Sequence, residues 1–330
     1  MSLKYKVGLI SIERKDELMK RYSKRILYEE RADIYGCCVK LLTDIKYVKE
    51  RWEENFYPMS AHVRSHGRLV VVKERDKDLE VLYDPLSKTA FLINVDYYGW
   101  IKSIALSVAG DILEDEHGIY SVHGACIDVE GQGIGLIAPP GTGKTTHTYG
   151  LLRLRSVRAV ADDWFFVRLF GEDAIAFGSE KNFYIQADIA EIWGEYKELV
   201  KNAEFDEEGR AIVNVRWIVG KGRIIPLTTL RKVILLKRDS SDQTLVRNLE
   251  TGEAVQYVLN TDFCNPHLLV RDERKRKLRK DFFEEFFSRV KLYLINAVQP
   301  PTKTHDLIRE TIESAKGSRV INKTPKTVKS

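Results

Sequence analysis

Residues 133–147 limit the possible folds of this chain more than any other stretch. They read GIGLIAPPGTGKTTH, an apolar run that enters a turn rich in Pro and Gly and leads into residues 146–154, which can continue as a helix. A strand, a loop and a helix in this order are the context of a phosphate-binding loop, in which backbone N–H groups converge on phosphate oxygens. We therefore predict a nucleotide site here.

Phosphate chemistry predicts a role for each polar position of this loop. Lys144 is expected to reach the β- and γ-phosphates of ATP, with GTP not excluded, and Thr145 to bind Mg²⁺. The predicted nucleotide contacts are Pro140, Gly141, Thr142, Gly143, Lys144, Thr145 and Thr146. Ala138 stands where such loops usually carry their first glycine. An accidental Pro/Gly turn before a lysine is the alternative interpretation.

Two adjacent carboxylates, Asp162 and Asp163, lie in the apolar run of residues 159–167. The run predicts a short buried strand with the pair near its midpoint, where neighbouring side chains point to opposite faces. Burying both carboxylates would be unfavourable without partners, and a bound metal ion and a proton to abstract would supply them. A turn or a helix cap is the alternative, because Asp-Asp pairs are common in both.

Length and composition limit the class of protein. A chain of 330 residues with 44% hydrophobic content can form two domains, or one large domain with an extension. Its net charge of +5 does not by itself indicate nucleic acid, which we do not expect as a partner. No apolar run approaches the roughly 18 residues that span a bilayer, and no signal peptide is recognised. The cysteines, Cys37, Cys38, Cys126 and Cys264, lack C-x-x-C spacing and are predicted to be reduced core residues of a cytoplasmic protein.

Hydrophobic periodicity predicts the remaining elements. In the first part of the chain we expect strands at 4–11, 69–72, 79–83 and 90–95 and helices at 14–25 and 47–56, which together suggest an antiparallel β-rich subdomain. A core-facing helix is expected at 98–115, followed by a hairpin of strands 119–129 and 135–137. Beyond the site we expect helices at 188–200 and 251–259, a strand at 233–237 and a long amphipathic helix over 271–294.

Residues 120–170 resemble a known superfamily. The run Val-His-Gly-Ala-Cys-Ile-Asp at 122–128, the hairpin, the loop and Val-Ala-Asp-Asp at 160–163 are similar to the catalytic core of the HPr kinase/phosphorylase and phosphoenolpyruvate carboxykinase superfamily. HPr kinases carry a His-Gly-x-x-x-Asp strand, a Gly-x-x-Gly-x-Gly-Lys-Ser loop and an Ala-Asp-Asp strand in the same order. The resemblance extends weakly to about residue 240. It implies a P-loop core with a mixed sheet.

The resemblance also implies roles for individual residues. Lys144 would stabilise the transferred phosphoryl group, and Thr145, Asp162 and Asp163 would hold Mg²⁺. One aspartate would serve as general base, and which one stays open. His123 would lie close to the metal and phosphates; without the resemblance, a strand histidine satisfied by its neighbours is the simpler interpretation.

An acceptor site is less well marked in the sequence. Ser179, Lys181 and Arg223 are candidate contacts to an acceptor or its phosphate. The HPr kinase segment Glu-x-Arg-Gly-x-Gly-Ile is missing, and residues 177–185 read FGSEKNFYI instead. The resemblance therefore does not extend to HPr recognition or to phosphorylase activity.

The combined prediction is an α/β protein with α+β character. Its regions are an N-terminal α+β subdomain at 1–97, a P-loop kinase-like core at 98–240, a C-terminal helical region at 241–315 and a flexible tail at 316–330. The predicted activity is ATP- and Mg²⁺-dependent transfer of the γ-phosphoryl group to a hydroxyl of a small molecule or a protein serine. An acceptor-independent ATPase and an inactive nucleotide-binding regulator are the alternatives. Two alternatives stay open for the aromatic face of the 271–294 helix: it packs on the core, or it packs on another subunit in a homo-oligomer.

Overall fold

Two large β-sheets and one small one organise residues 5–314 and the backbone of residues 321–322, which the computed structural model describes. The first part of the chain forms β1 (Val7–Leu9), α1 (Ile12–Tyr22), β2 (Tyr28–Ile34), β3 (Cys37–Thr43), α2 (Lys46–Asn55), β4 (Tyr57–Pro58), β5 (Gly67–Val72), β6 (Glu80–Asp84), β7 (Thr89–Ile93) and α3 (Tyr98–His117). Both strands and helices run through the described chain, so the predicted α/β class is confirmed.

The second part of the chain contains the phosphate-loop motif. Its elements are β8 (Ile119–Val129), β9 (Gln132–Ile137), α4 (Lys144–Leu152), β10 (Val157–Ala161), β11 (Trp164–Phe170), β12 (Asp173–Gly178), β13 (Phe183–Gln186), α5 (Ile189–Ile192), α6 (Lys197–Lys201), β14 (Arg210–Val213), α7 (Arg216–Val219), β15 (Leu227–Lys237), β16 (Thr244–Asn248), α8 (Thr251–Asn260), α9 (Glu273–Ser288), β17 (Lys291–Asn296), α10 (Pro301–Glu313) and β18 (Ile321–Asn322).

The first sheet has the strand order β1-β6-β7-β5-β3-β2-β4. Its pairs β3–β5, β5–β7 and β1–β6 are parallel, so the prediction of an antiparallel subdomain was wrong. The error arose because β6 and β7 form a hairpin, whereas β5 pairs with the far side of β7. The adjacent strands β2 and β3 were missed altogether.

The second sheet places the phosphate-loop strand in its interior. Strand β9 pairs with β8 in the predicted antiparallel hairpin and with β15 in parallel. Strand β15 pairs with β12, β12 with β11, and β11 with β8, so the pairing runs around a closed circuit of five strands. Because β9 is hydrogen-bonded on both sides, the loop that follows it begins from a fixed point.

Helices cover both faces of the second sheet. Helices α4 and α10 share one apolar cluster with β9 and β15, and α8 and α9 share another with the opposite face. Helix α3 lies against both β8 and the first sheet, with Trp164 and Phe166 in the same cluster. The predicted helix at 98–115 is confirmed, and its position makes it the link between the two large sheets.

The C-terminal part departs from its prediction in two ways. Helix α9 ends at Ser288, and Leu294 belongs to β17, which pairs in parallel with β15. The aromatic side chains of α9 are buried in the molecule, so they give no reason to expect self-association: Phe282, Phe283, Phe286 and Phe287. The region predicted to be helical therefore also supplies strands to the second sheet.

Some predictions concern smaller features. The helix expected at 188–200 is broken into α5, a 3₁₀ turn at Gly194–Tyr196 and α6. All four cysteines are free and buried, as predicted. Within the described part of the chain, no helix combines the length and apolar character needed to cross a bilayer. The predicted flexible tail lies outside the described residues, apart from the backbone of β18.

Candidate active site

The loop between β9 and α4 has the backbone expected of a phosphate-binding loop. Gly141 (φ 81°) and Gly143 (φ 100°) adopt left-handed conformations that residues with a Cβ rarely adopt, and helix α4 starts at Lys144. Ala138 does not have positive φ, and its methyl group is buried in the core cluster beneath the loop. The alanine at this position is therefore compatible with the loop conformation.

Among the described residues, no carboxylate forms an ion pair with Lys144. Its side chain is buried, and its Nζ donates to the carbonyl oxygen of Ala138 at 3.4 Å. Burial lowers the pKa of Lys144. Thr142 holds the loop closed by donating from Oγ1 to the carbonyl oxygen of Pro139 at 2.6 Å. A phosphate near this loop would meet an ammonium group without a competing ion pair, which favours anion binding.

The two aspartates interrupt a strand rather than occupying its middle. Both β10 and β11 pair with β8, and Asp162 and Asp163 lie in the bend between them. The amide N–H of Gly124 donates to the Asp163 carbonyl oxygen at 2.8 Å, so the ladder resumes directly after the bend. The prediction of one continuous strand was wrong here, because the irregular backbone releases both carboxylates from strand alternation.

Asp163 is held as a carboxylate by two neighbours. Lys102 Nζ donates to its Oδ2 at 2.8 Å, and His123 Nε2 lies 3.0 Å from its Oδ1. Burial favours the neutral acid, but Lys102, His123 and Lys144 together outweigh it and hold the pKa of Asp163 well below its usual range. The Asp163 side chain is 26% exposed, so an ionised carboxylate is accessible to a ligand.

Asp162 has the opposite electrostatic environment. Its Oδ2 accepts a hydrogen bond from the amide N–H of Tyr184 at 2.9 Å, whereas its buried Oδ1 has no partner among the described residues. Burial, together with the negative charge of Glu180, raises the pKa of Asp162 well above its usual value. The pKa values of the two neighbouring carboxyl groups are thus shifted in opposite directions.

His123 lies between Asp163 and the segment that connects α8 to α9. Its ring stacks on Trp164 with centroids 5.5 Å apart, and its Nδ1 lies 3.1 Å from the carbonyl oxygen of Cys264. Burial and the charge of Lys144 lower the pKa of His123, while Asp163 opposes them. The histidine contacts the carboxylate of Asp163, as the satisfied-neighbour interpretation expects, and its proximity to a metal ion and phosphates stays a prediction.

These groups lie around one cavity with a volume of about 510 Å³. This volume falls within the range of roughly 300–1,000 Å³ that is typical of small-molecule sites. The predicted residues that line it are His123, Pro140, Gly141, Gly143, Lys144, Thr145, Thr146, Asp162 and Asp163. Other parts of its wall come from the start of α3 and from the segments around β13 and β14. The structure therefore places the loop and both aspartates around one shared space.

The three candidate acceptor contacts do not line this cavity. Ser179 is buried and donates to the carbonyl oxygen of Trp164 at 3.0 Å, and Lys181 donates to that of Glu53 at 2.6 Å. Arg223 donates to carbonyl oxygens at the end of α4 and the start of β10, including that of Val157 at 2.8 Å from Nε. Each side chain contacts local backbone instead, so the structure does not bring these three residues to the cavity wall.

Sequence reasoning missed Lys102, Glu180 and His267. Lys102 is 2% exposed and lies 3.2 Å from a carboxylate oxygen of Glu180 as well as 2.8 Å from Asp163. A detectable signal existed for Lys102, since it is the one basic residue in the strongly apolar run of residues 100–113. A buried lysine needs carboxylate partners. For Glu180 and His267, no sequence pattern distinguishes them from surface residues.

The donor atoms around the cavity suit a magnesium ion brought by a nucleotide. Thr145 lines the cavity, and the buried Oδ1 of Asp162 has no hydrogen-bond partner among the described residues. Among residues 5–314, no cluster of three or more His, Cys, Asp or Glu side chains could hold a metal alone. Mg²⁺ typically takes one or two protein oxygens plus substrate phosphates and water, so these residues fit it in that form.

Comparison with known proteins gives one coarse relationship. No protein-family model matches the chain. A phosphoenolpyruvate carboxykinase (ATP) from Aeropyrum pernix is 29% identical to it over 145 residues, which cover 41% of this chain and 29% of that enzyme. The match thus spans less than a third of the carboxykinase. It supports a distant superfamily relationship, and the HPr kinase-like assignment stays a prediction.

Proposed function

We propose that this protein is an ATP- and Mg²⁺-dependent phosphotransferase that moves the γ-phosphoryl group to a hydroxyl of a small molecule or a protein serine. The observation that carries the proposal is the shared cavity, in which the Lys144 ammonium and the ionised Asp163 carboxylate face the same space. The similarity to a carboxykinase named for its use of ATP supports the nucleotide.

One set of residues would bind the nucleotide, and another would act on the acceptor hydroxyl. Backbone N–H groups of the loop and Lys144 would bind the β- and γ-phosphates at the start of α4. The acceptor oxygen forms a bond to the γ-phosphorus while the bond to the β–γ bridging oxygen breaks, and ADP leaves. Asp163 takes the proton of the acceptor hydroxyl, with Lys102 and His123 keeping its carboxylate in place.

Asp163 is a weak base because its pKa is low, and phosphoryl transfer tolerates this. In a loose transition state the attacking hydroxyl carries little positive charge, so orientation matters more than basicity. We assign the metal contact to Asp162, whose Oδ1 is unpaired, and to Thr145. When bound, Mg²⁺ would neutralise charge on the phosphate oxygens.

The decisive experiment incubates the protein with ATP, Mg²⁺ and pooled metabolites and measures ADP. ADP formation that requires one metabolite or added protein, and disappears in Asp163→Asn, supports the proposal. ADP formation without an acceptor would identify an ATPase instead. Binding of ATP without turnover across the pools would identify a regulatory protein. Lys277→Met, which removes an exposed lysine on α9, is the matched control and should leave turnover unchanged.

A further inference from the structure

The connection between α8 and α9 contains unusual backbone close to the cavity. Asp262, Phe263 and Cys264 have φ values of 50°, 55° and 55°, so three consecutive residues with side chains are left-handed. This conformation is strained for residues with side chains, because the Cβ atom comes too close to the following carbonyl oxygen. The turn is closed by hydrogen bonds from Cys264 N–H to the Thr261 carbonyl and from Asn265 N–H to the Asp262 carbonyl. Strain of this kind persists where the surroundings require it, often at functional sites.

This left-handed turn fixes what the next residues can reach. It presents the Cys264 carbonyl to His123, and it brings His267 to the cavity wall. The backbone of His267 is held at both ends: its N–H donates to Asn265 Oδ1 at 3.0 Å, and its carbonyl accepts from Ser107 Oγ at 2.7 Å. His267 is therefore a fixed part of the site.

His267 lies close enough to the charged residues of the candidate site for their charges to affect it. Its ring centroid is 6.0 Å from that of His123, and the charges of Asp163, Lys102 and Lys144 act on it. The side chain is buried, and burial lowers its pKa to about 3, with a further contribution from His123. The imidazole is therefore neutral at physiological pH and carries a single proton.

Hydrogen bonding determines which ring nitrogen carries that proton. The Tyr5 hydroxyl lies 2.7 Å from His267 Nδ1, and burial raises the pKa of Tyr5, so the phenol keeps its hydrogen. In the described residues, Nδ1 is the sole hydrogen-bond partner of this hydroxyl, and Nε2 of His267 has none. If Nδ1 were protonated, the phenolic hydrogen would have no acceptor. Tyr5 therefore donates to Nδ1, and Nε2 carries the hydrogen.

We propose that His267, through Nε2–H, donates a hydrogen bond to an oxygen of the transferred phosphoryl group, and that Tyr5 is a positioning residue that fixes the required tautomer. The proposal rests on the phosphotransferase function above and adds a substrate-contacting residue to it. A neutral donor that keeps its proton across the working pH range stabilises developing charge without forming an ion pair with Asp163.

The tautomer is measured first, on the unliganded full-length protein with ¹⁵N-labelled histidine. Long-range ¹H–¹⁵N spectra assign the protonated nitrogen of His267, and we expect Nε2–H. The Tyr5→Phe variant keeps the aromatic ring, whose centroid lies 5.0 Å from that of Trp100, and removes only the hydroxyl. In this variant we expect a mixture of both His267 tautomers. Protonation of Nδ1 in the wild-type protein would overturn the proposal, whether or not the protein is a kinase.

Ligand binding is measured second, with Mg²⁺·ADP alone and with Mg²⁺·ADP plus aluminium fluoride as a mimic of the phosphoryl group in transit. For His267→Ala we expect ADP affinity within about twofold of wild type and affinity for the fluoride complex about tenfold weaker. His267→Gln, whose amide N–H can approach the position of Nε2, should recover part of the loss. His117→Ala changes an exposed histidine and is the control.

The outcomes separate this proposal from the one on which it rests. If the wild-type protein does not bind Mg²⁺·ADP, the phosphotransferase function fails, and this assignment fails with it. If wild type binds both complexes and His267→Ala binds them equally well, only the role of His267 is refuted. Should His267→Ala fail to fold, the tautomer of the wild-type protein still decides, since a hydrogen on Nδ1 would leave Nε2 unable to donate and would refute the contact.

Discussion

Replacing Lys102 with Met should destabilise the protein strongly, because it removes the buried cation between the buried acid Glu180 and the partly buried acid Asp163. Unit charges 2.8 Å apart attract by about 6 kcal/mol at an effective dielectric constant of about 20, and Lys102 makes a second such contact, with Glu180, at 3.2 Å. The substitution also removes the desolvation cost of the lysine. The net loss of unfolding free energy should therefore be about 3–5 kcal/mol, as for other broken buried pairs.

The pH dependence of this loss follows from the pKa shifts. Lys102 lowers the pKa of Asp163, so in wild type this contribution is present above the unfolded pKa and disappears as the pH falls through the folded one. Without Lys102, Asp163 and Glu180 take up protons more readily in the folded state. The deficit of Lys102→Met should consequently be larger at pH 7 than at pH 5.

Urea unfolding followed by circular dichroism at both pH values measures this effect. Lys280→Met is the matched control, because Lys280 and Glu284 are half exposed and such a pair is worth no more than about 1 kcal/mol. Adding Glu180→Gln to Lys102→Met should restore part of the loss by removing one unpaired acid. A loss below 1 kcal/mol for Lys102→Met, or a deficit that grows on acidification, would refute the reasoning.

Three further predictions concern the other charged groups. Asp163→Asn should lower acceptor-dependent turnover by about 100-fold or more with little change in ATP affinity, which initial rates and binding titrations test. Because the pKa of Asp163 is low, the turnover of the wild-type protein should not fall between pH 8 and pH 5 through protonation of this residue. Asp162→Asn should be at least as stable as wild type at pH 8, since a carboxyl group whose pKa is raised by folding destabilises the folded protein as the pH rises. Its Mg²⁺-dependent affinity for ATP, measured by calorimetry, should nevertheless fall about tenfold. Arg223→Ala should lose about 1.5–3 kcal/mol of stability in urea melts and leave the Kd for ADP unchanged, whereas a weaker Kd with normal stability would restore Arg223 to the site.

Local sequence patterns predicted the parts of the fold that depend on neighbouring residues. The hairpin of β8 and β9 was predicted because the glycines and alternating apolar residues that build it are adjacent in sequence. A helix after the loop was likewise predicted, over residues 146–154, and the structure places it at Lys144–Leu152.

Contacts between distant residues account for what the sequence did not predict. The parallel pairing of β5 with β7 depends on which edge of β7 stays free after the β6 hairpin forms. The end of α9 depends on β15, because pairing with that strand outweighs the helical spacing of Leu294. Lys102 was predictable as a buried charge, but its partners lie 61 and 78 residues away along the chain, at Asp163 and Glu180.

Helix α3 has a consequence for how the molecule unfolds. One of its faces completes the core of the first sheet, while Lys102 on the same helix neutralises the acid that faces the cavity. Loosening the first sheet would therefore expose apolar surface and leave that acid without its cation in a single event. The two large sheets should melt as one cooperative unit, so a substitution far from the cavity, anywhere in the first sheet, can reduce the population of molecules able to react.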